Sequence, residues 1–184
     1  MSEAWCQRHH AHWEDLFEAF RCEAENNSRG IIPKFNDYIQ LRRAAGGAEL
    51  AMDWIEAVGH FELPAQIHSN PAFLSLRQNF LDIVGMTNDL FSARNEWNSG
   101  NTDNIVHVLA QREQCSWRYA NELTHKTIAD TVACLKDNES ELYNSATYTA
   151  LGPQDQANTR RFIGAMKYWM RGSLDWHYIT PRYR

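Results

Sequence analysis

Three oxygen-bearing residues are regularly spaced in the middle of the chain. Asn88, Ser92 and Glu96 follow one another at intervals of four residues. On an α-helix each step of four advances the side chain by about 400°, so the three fall on one slowly drifting stripe. An amide oxygen, a hydroxyl and a carboxylate together form the hard oxygen surface that Mg²⁺ prefers, with water or phosphate as its other ligands. The spacing therefore predicts a candidate site for a divalent metal ion.

The segment that carries this stripe is otherwise strongly apolar. A helix of this composition is more often buried than peripheral, and buried polar groups need partners. A metal ion with bound water is one way to satisfy them, and hydrogen bonds to neighbouring helices are the other. The apolar residues in question are Phe80, Leu81, Ile83, Val84, Met86, Leu90 and Phe91.

Apolar residues recur at helical spacing along nearly the whole chain, and strand-like alternation is weak. Trp13, Leu16, Phe17 and Phe20 fit one face of an amphipathic helix. A short helix is predicted between residues 35 and 46. Breaks at glycine, proline and asparagine predict the other helices, at about 48–60, 71–97, 104–109, 114–137, 139–151 and 154–177. The sequence thus predicts an all-α helical bundle in one domain, residues 1–184.

Composition restricts the partners. The chain has a formal net charge of −5 and no basic tract, so the electrostatic attraction that drives non-specific nucleic-acid binding has no source. No apolar run approaches the length of a membrane span. We therefore expect no nucleic acid and no membrane as partners. The four cysteines lack the spacing of zinc ligands or of a disulfide framework, which is typical of reduced thiols in a cytoplasmic protein.

Residues 88–96, with the sequence NDLFSARNE, resemble a known motif. It is the NSE metal-binding motif of class I terpene synthases, (N/D)D-x-x-(S/T)-x-x-x-E. The resemblance implies that Asn88, Ser92 and Glu96 chelate one of the Mg²⁺ ions, or Mn²⁺ in its place, that hold the diphosphate of a prenyl substrate. Asp89 belongs to the motif but points elsewhere in the family. Asn95 stands where many relatives have Lys or Arg.

Two further segments resemble the same family. Residues 169–183, WMRGSLDWHYITPRY, are similar to the microbial ending W-x-x-G-N-x-x-W-x-x-x-T-x-R-Y, with Ser173 in place of Asn. This similarity implies that Arg182 and Tyr183 hydrogen-bond the diphosphate when the site closes. Residues 38–47, YIQLRRAAGG, resemble the segment with the diphosphate-sensing arginine and a helix break. Arg42 would be that arginine, and Gly46 would direct its backbone carbonyl at the substrate.

The resemblance spans essentially the whole chain but only the C-terminal half of the family's domain. The family carries a second, aspartate-rich metal motif far upstream of the NSE motif, whereas only 87 residues precede Asn88 here and no Asp-Asp pair occurs. The segment 14–18, EDLFE, is a superficial lookalike that we interpret as an amphipathic surface. Half a bundle also exposes apolar faces. We therefore expect either a homo-oligomer or a complementary N-terminal half as partner.

The resemblances together imply a class I terpene synthase or a part of one. Such a protein uses Mg²⁺ to ionise and cyclise a prenyl diphosphate, here farnesyl or geranyl diphosphate, and activity would need the half with the aspartate-rich motif. The alternative is a non-catalytic, truncated relative that acts in assembly or in diphosphate binding.

Aromatic and histidine residues leave alternatives open. Ring faces stabilise carbocations, so Phe73, Phe80, Trp169 and Trp176 are candidates for a pocket wall, and plain core packing is the competing interpretation for each. A histidine cluster near the N-terminus, residues 9–12, is interpreted as a solvated helix end rather than a metal site.

Overall fold

The apolar spacing of the sequence appears in the structure as a bundle of helices. The structure is a computed structural model that describes residues 1–183, and over that range it contains helices and no strands. The elements are α1 Glu3–Arg29, α2 Phe35–Ala45, α3 Ala48–Gly59, α4 Ala65–His68, α5 Pro71–Asn98, α6 Ile105–Arg112, α7 Trp117–Asn144, α8 Ala146–Thr149, α9 Pro153–Ile179 and a 3₁₀ turn, Pro181–Tyr183.

Helix α5 is the central element of the bundle, and its start is well defined. The Asn70 side chain accepts hydrogen bonds from the backbone N–H groups of Ala72 and Phe73, and Pro71 occupies the first turn. Both features are typical of helix N-termini, where backbone donors lack intrahelical partners. Helix α5 packs against α7, α9, α2 and α6. Side chains on the α5 stripe can therefore be reached from several other helices.

The predicted break near residue 138 is wrong. Helix α7 continues to Asn144, and only the four residues Ala146–Thr149 follow it as α8. The continuation buries Leu142 on the same face as Leu135, one heptad earlier. Ser145 ends α7 in an extended conformation, and its side chain caps α8. Core burial thus sets this boundary, and the polar composition of the segment does not.

Apolar faces remain open on one part of the bundle. In α1, Leu16 is buried, whereas Trp13, Phe17 and Phe20 of the predicted apolar face are exposed. Exposed apolar side chains also occur on α3 and α9, where they are Trp54, Val58, Tyr168, Trp169, Trp176, Tyr178 and Ile179. The predicted exposure of apolar surface is thus present among the described residues.

No helix in residues 1–183 has the length and apolar character needed to cross a membrane.

Candidate active site

The three oxygen-bearing residues lie on one face of α5. Ser92 is buried, and Asn88 and Glu96 are half-buried. The amide of Asn104, the residue before α6, donates to Ser92 Oγ at 3.5 Å and to Glu96 Oε2 at 2.8 Å. One nitrogen atom therefore reaches both oxygens, which shows that the hydroxyl and the carboxylate converge. The contacts are polar, so the stripe is not embedded in dry apolar packing.

Asp89 faces away from this stripe and holds the surrounding helices. Its carboxylate accepts from the hydroxyl of Tyr38. It also accepts from Arg42 Nε at 2.9 Å and from the backbone N–H of Ile105 at 2.9 Å. With only 1% of its surface exposed, Asp89 ties α2 and the start of α6 to α5.

Arg42 lies in a space that two glycines leave open. Its Nη2 donates to Asn88 Oδ1 at 2.9 Å. A Cβ atom added at Gly85 would lie 3.2 Å from Arg42 Cγ, and one added at Gly46 would lie 3.1 Å from Arg42 Nη1. Gly46, the residue that ends α2, therefore lies directly against the Arg42 guanidinium. The structure thus brings Arg42, Gly46 and Asn88 together.

The C-terminal turn docks on the same face of α5. Asn88 Nδ2 donates to Tyr183 Oη at 2.8 Å, and Asn95 Nδ2 donates to the backbone carbonyl of Arg182 at 3.3 Å. The Arg182 side chain is exposed, and its guanidinium lies 5.6 Å from the centre of the Tyr183 ring. Asn95 therefore serves here as an attachment point for the chain end.

An additional carboxyl group approaches the site from α1. Glu23 is half-buried, and burial raises its pKa to about 7. Arg42 opposes this rise, and Asp103 and Glu96 add to it. The region around Arg42 is therefore rich in acidic groups. This is an environment that favours cations.

Several residues of the site carried no assigned role at the sequence level. They are Glu23, Gly85, Asn104 and His177, whose ring contacts Asn88 Nδ2 at 3.0 Å. Only Gly85 gave a signal in the sequence, since an isolated glycine inside an apolar helix often marks a place where another group closely approaches the helix backbone. The others depend on contacts between distant segments.

The aromatic candidates separate into two groups. Phe73 and Phe80 are fully buried in the main core cluster, so for them the pocket interpretation is wrong. Trp169 and Trp176 are partly exposed and line an open groove of about 340 Å³ together with Gly172 and Ser173. These two rings remain available to a ligand.

The N-terminal histidines are not a solvated helix end. His9 Nδ1 and His12 Nδ1 both donate to Asp53 Oδ2 at 2.8 Å, whereas His10 is exposed. Trp13 Nε1 donates to His9 Nε2 at 3.1 Å, so the lone pair of this ring already has a partner. Hydrogen bonds to Asp53 therefore account for the positions of His9 and His12, and these bonds join α1 to α3.

The stripe on α5 fits a divalent cation. Its donors are one amide oxygen, one hydroxyl and one carboxylate, which is the hard-oxygen set that Mg²⁺ and Mn²⁺ accept. Among the described residues, Asn104 donates to Glu96 Oε2, and no donor is seen at the other oxygen of that carboxylate. Asp103 adds negative potential, as does Glu23 once it is ionised. The residues present are therefore suited to an ion with further ligands from water or phosphate.

The chain is similar to known proteins in both sequence and structure. A family model described as terpene synthase family 2, C-terminal metal binding, matches residues 1–133. The chain is 29% identical over 179 residues to germacrene A synthase of Nostoc punctiforme, covering 97% of this chain and 54% of that protein. It is 26% identical to pentalenene synthase of Streptomyces exfoliatus, covering 100% of this chain and 55% of that protein.

Solved structures of terpene synthases also superpose on this chain. Germacradien-4-ol synthase from Streptomyces citricolor superposes with a TM-score of 0.84 at 28% identity, over 98% of this chain and 57% of that one. Wild-type cucumene synthase superposes with a TM-score of 0.83 at 26% identity, again over 98% and 57%. The chain thus spans about half the length of the relatives it matches.

Proposed function

This chain belongs to terpene synthase family 2, and we propose that it forms the metal-binding and diphosphate-binding part of a class I terpene synthase. The activity is the ionisation and cyclisation of a prenyl diphosphate. The observation that carries the proposal is the meeting of three separate segments at Asn88, which contacts both Arg42 and Tyr183. Each of these segments carries one of the family resemblances.

The proposed roles follow the chemistry of the side chains. Asn88, Ser92 and Glu96 hold Mg²⁺ or Mn²⁺. A divalent ion bound there supplies positive charge that stabilises the departing diphosphate. Arg42 and Arg182 bind phosphate oxygens, for which a planar guanidinium is suited.

Tyr183 and Gly46 complete the proposed site. The Asn88 amide already donates to Tyr183 Oη, which leaves the hydroxyl proton free for a phosphate oxygen. Gly46 directs its carbonyl oxygen toward the allylic end of the substrate. Trp169 and Trp176 present ring faces that can stabilise a carbocation.

A second component completes the cavity in this proposal. The described helices expose the apolar side chains of α1, α3 and α9, and the sequence contains no Asp-Asp pair. The partner is a complementary half that carries an aspartate-rich helix, or a second copy of the chain. Residues 1–184 then act as one partial domain. A cytoplasmic location is part of the proposal and is in keeping with four free cysteines.

The substrate is farnesyl or geranyl diphosphate. Several relatives carry the name sesquiterpene synthase, among them Agr3 of Cyclocybe aegerita, which is 27% identical over 168 residues. That name favours the longer of the two substrates.

Calorimetry with Mg²⁺ and inorganic pyrophosphate tests the metal site. The wild-type chain is expected to release or absorb heat on binding, and Glu96→Ala is expected to abolish this signal. Glu141→Ala, which removes an exposed carboxylate on α7, is the matched control and should bind as the wild type does. Equal heats for wild type and Glu96→Ala would contradict the assignment of Glu96.

Activity is tested with Mg²⁺ and farnesyl or geranyl diphosphate, with detection of volatile hydrocarbons. We expect product when a chain with the aspartate-rich helices of a relative is added, and little product without it. The alternative function is a non-catalytic assembly protein, which the exposed apolar side chains favour. It predicts a stable dimer whose α5 stripe binds no metal ion.

A further inference from the structure

We propose that His177 is a positioning residue that fixes the orientation of the Asn88 amide. The ring lies on α9 and contacts the amide through Nε2 at 3.0 Å. In this role the ring holds the amide so that its oxygen faces Arg42. Only the use of this orientation to bind a metal ion rests on the proposed function. The orientation itself is argued from hydrogen bonds that need no ion.

The direction of the hydrogen bonds follows first from the α9 side. His177 Nδ1 lies 2.6 Å from the backbone carbonyl of Ser173, which can only accept. Nδ1 therefore carries the proton. In the neutral ring the other nitrogen, Nε2, then has a lone pair and accepts. The Asn88 atom that faces Nε2 must be the donor nitrogen.

The same result follows independently from the α2 side. Arg42 Nη2 lies 2.9 Å from the other end of the Asn88 amide, and a guanidinium can only donate. That end must therefore be the oxygen. A flipped amide would place donor against donor at Arg42 and acceptor against acceptor at His177. Two fixed groups at opposite ends thus select one orientation.

The histidine is itself held in place by packing. It is 5% exposed, and its ring stacks on Tyr183 with the centroids 5.4 Å apart and an interplanar angle of 9°. The Phe91 ring lies 5.0 Å away on another side. Contacts that lock the rotamer of a supporting residue make the group that it supports more precise. The Asn88 oxygen is therefore held toward Arg42 before any ligand arrives.

Magnetic resonance tests the orientation without a metal ion. Long-range proton–nitrogen spectra of the wild-type chain should show His177 with a protonated Nδ1 and an unprotonated Nε2. A protonated Nε2 in the neutral ring would overturn the proposal. This measurement needs no substitution, so it decides the question even if a variant fails to fold.

Two substitutions separate the acceptor from the rest of the ring. His177→Gln can place a carbonyl oxygen near the position of Nε2, whereas His177→Asn keeps a donor for Ser173 and loses that acceptor. The side-chain amide protons of Asn88, identified by their loss in Asn88→Asp, should keep their shifts in His177→Gln and move in His177→Asn. Unchanged shifts in a folded His177→Asn would contradict the proposal.

Calorimetry with Mg²⁺ and inorganic pyrophosphate measures the consequence. His177→Asn should weaken binding by about 10- to 100-fold, as is usual for groups that orient a metal ligand, and His177→Gln should restore most of it. Equal loss in both variants would overturn the role of the acceptor. A wild-type chain that bound no pyrophosphate would instead contradict the proposed function, and the ring spectrum would still decide the role of His177.

Discussion

At the scale of single residues, the site depends on short polar side chains whose partners are fixed by neighbouring segments. The Asn88 side chain contacts Arg42 of α2, His177 of α9 and Tyr183 of the C-terminal turn. A residue with that many partners has one permitted orientation. Small changes around it should therefore alter binding more than they alter stability.

Gly85 offers the sharpest test of such a small change. A Cβ at this position would lie 3.2 Å from Arg42 Cγ, and Arg42 is anchored to Asp89 at 2.9 Å. Gly85→Ala should displace the guanidinium and weaken pyrophosphate binding by about tenfold, which corresponds to about 1.4 kcal/mol. Gly164→Ala is the control, because a Cβ there meets nothing within 4 Å. Equal binding by both variants would show that Arg42 adapts.

Glu23 predicts a pH dependence of stability. Its pKa of about 7 in the folded chain lies above the ordinary value of 4.5. Between these values the folded state binds more protons than the unfolded state, so stability falls as pH rises through this window and the cost is complete above pH 7. Because Glu23 is partly open to solvent, we expect Glu23→Gln to gain only about 1 kcal/mol at high pH.

The measurement is urea unfolding without metal at pH values from 4 to 8. The gain from Glu23→Gln should disappear at the acid end, where Glu23 is protonated in both states. Glu14→Gln, an exposed position on the same helix, should show no such trend. A gain that is constant across the range would contradict the assigned protonation of Glu23.

At the scale of elements, buried charges join α1 to α3. Asp53 is 2% exposed and accepts from His9 and His12, and Glu56 accepts from Arg8 Nη2 at 2.5 Å. Burial alone would raise the pKa of Asp53, but hydrogen bonds from His12 and His9 outweigh it and hold the pKa below its ordinary value. The joint between the two helices is therefore strongest when Asp53 is charged.

Asp53→Asn tests this joint. Removal of the charge leaves His9 and His12 with a neutral amide oxygen as their common acceptor in place of a carboxylate. Losing a buried hydrogen-bond acceptor that carries a charge costs about 2 kcal/mol at neutral pH. A carboxyl group with a lowered pKa stabilises fully above the pKa of the unfolded state, and this effect is lost as pH falls from there through the lower folded pKa. The difference should therefore shrink below about pH 4. Chemical denaturation measures it. Asp130→Asn, at an exposed i,i+4 pair with Lys126, should change little.

The elements differed in how far sequence could predict them. Most helices and the alignment of the α5 stripe follow from local spacing, because the period of a helix is independent of the rest of the fold. The length of α7 does not follow from local spacing, because its last turns are helical where that conformation buries Leu142 in the core. The roles of Asn104 and His177 were also out of reach. The Asn88–His177 contact joins residues 89 positions apart, and no local pattern encodes such a pair.

At the scale of the whole molecule, one side of the bundle is apolar and open. Trp54, Val58, Phe61 and Tyr168 line a groove of about 640 Å³ between α3 and α9. Val58 is 72% exposed and Tyr168 is 82% exposed. Large contiguous apolar patches are rare on monomers and mark surfaces that other chains cover.

Sedimentation velocity should detect the consequence of this surface. We expect the isolated chain to associate as its concentration rises, and Val58→Glu to lower that association because it places a charge in the groove. Tyr119→Glu changes an exposed aromatic residue on α7 and is the control. Association that is unaffected by Val58→Glu would place the contact on another face.

The bond between Asn95 and the carbonyl of Arg182 links two parts of the molecule that would otherwise be free to change separately. The Asn95 side chain is neutral, and it holds in place the turn that carries the Arg182 guanidinium. A chimera that exchanges the last turn alone, or α5 alone, would therefore break a matched set. The two should be transplanted together if the hybrid is to keep a positive group above the stripe.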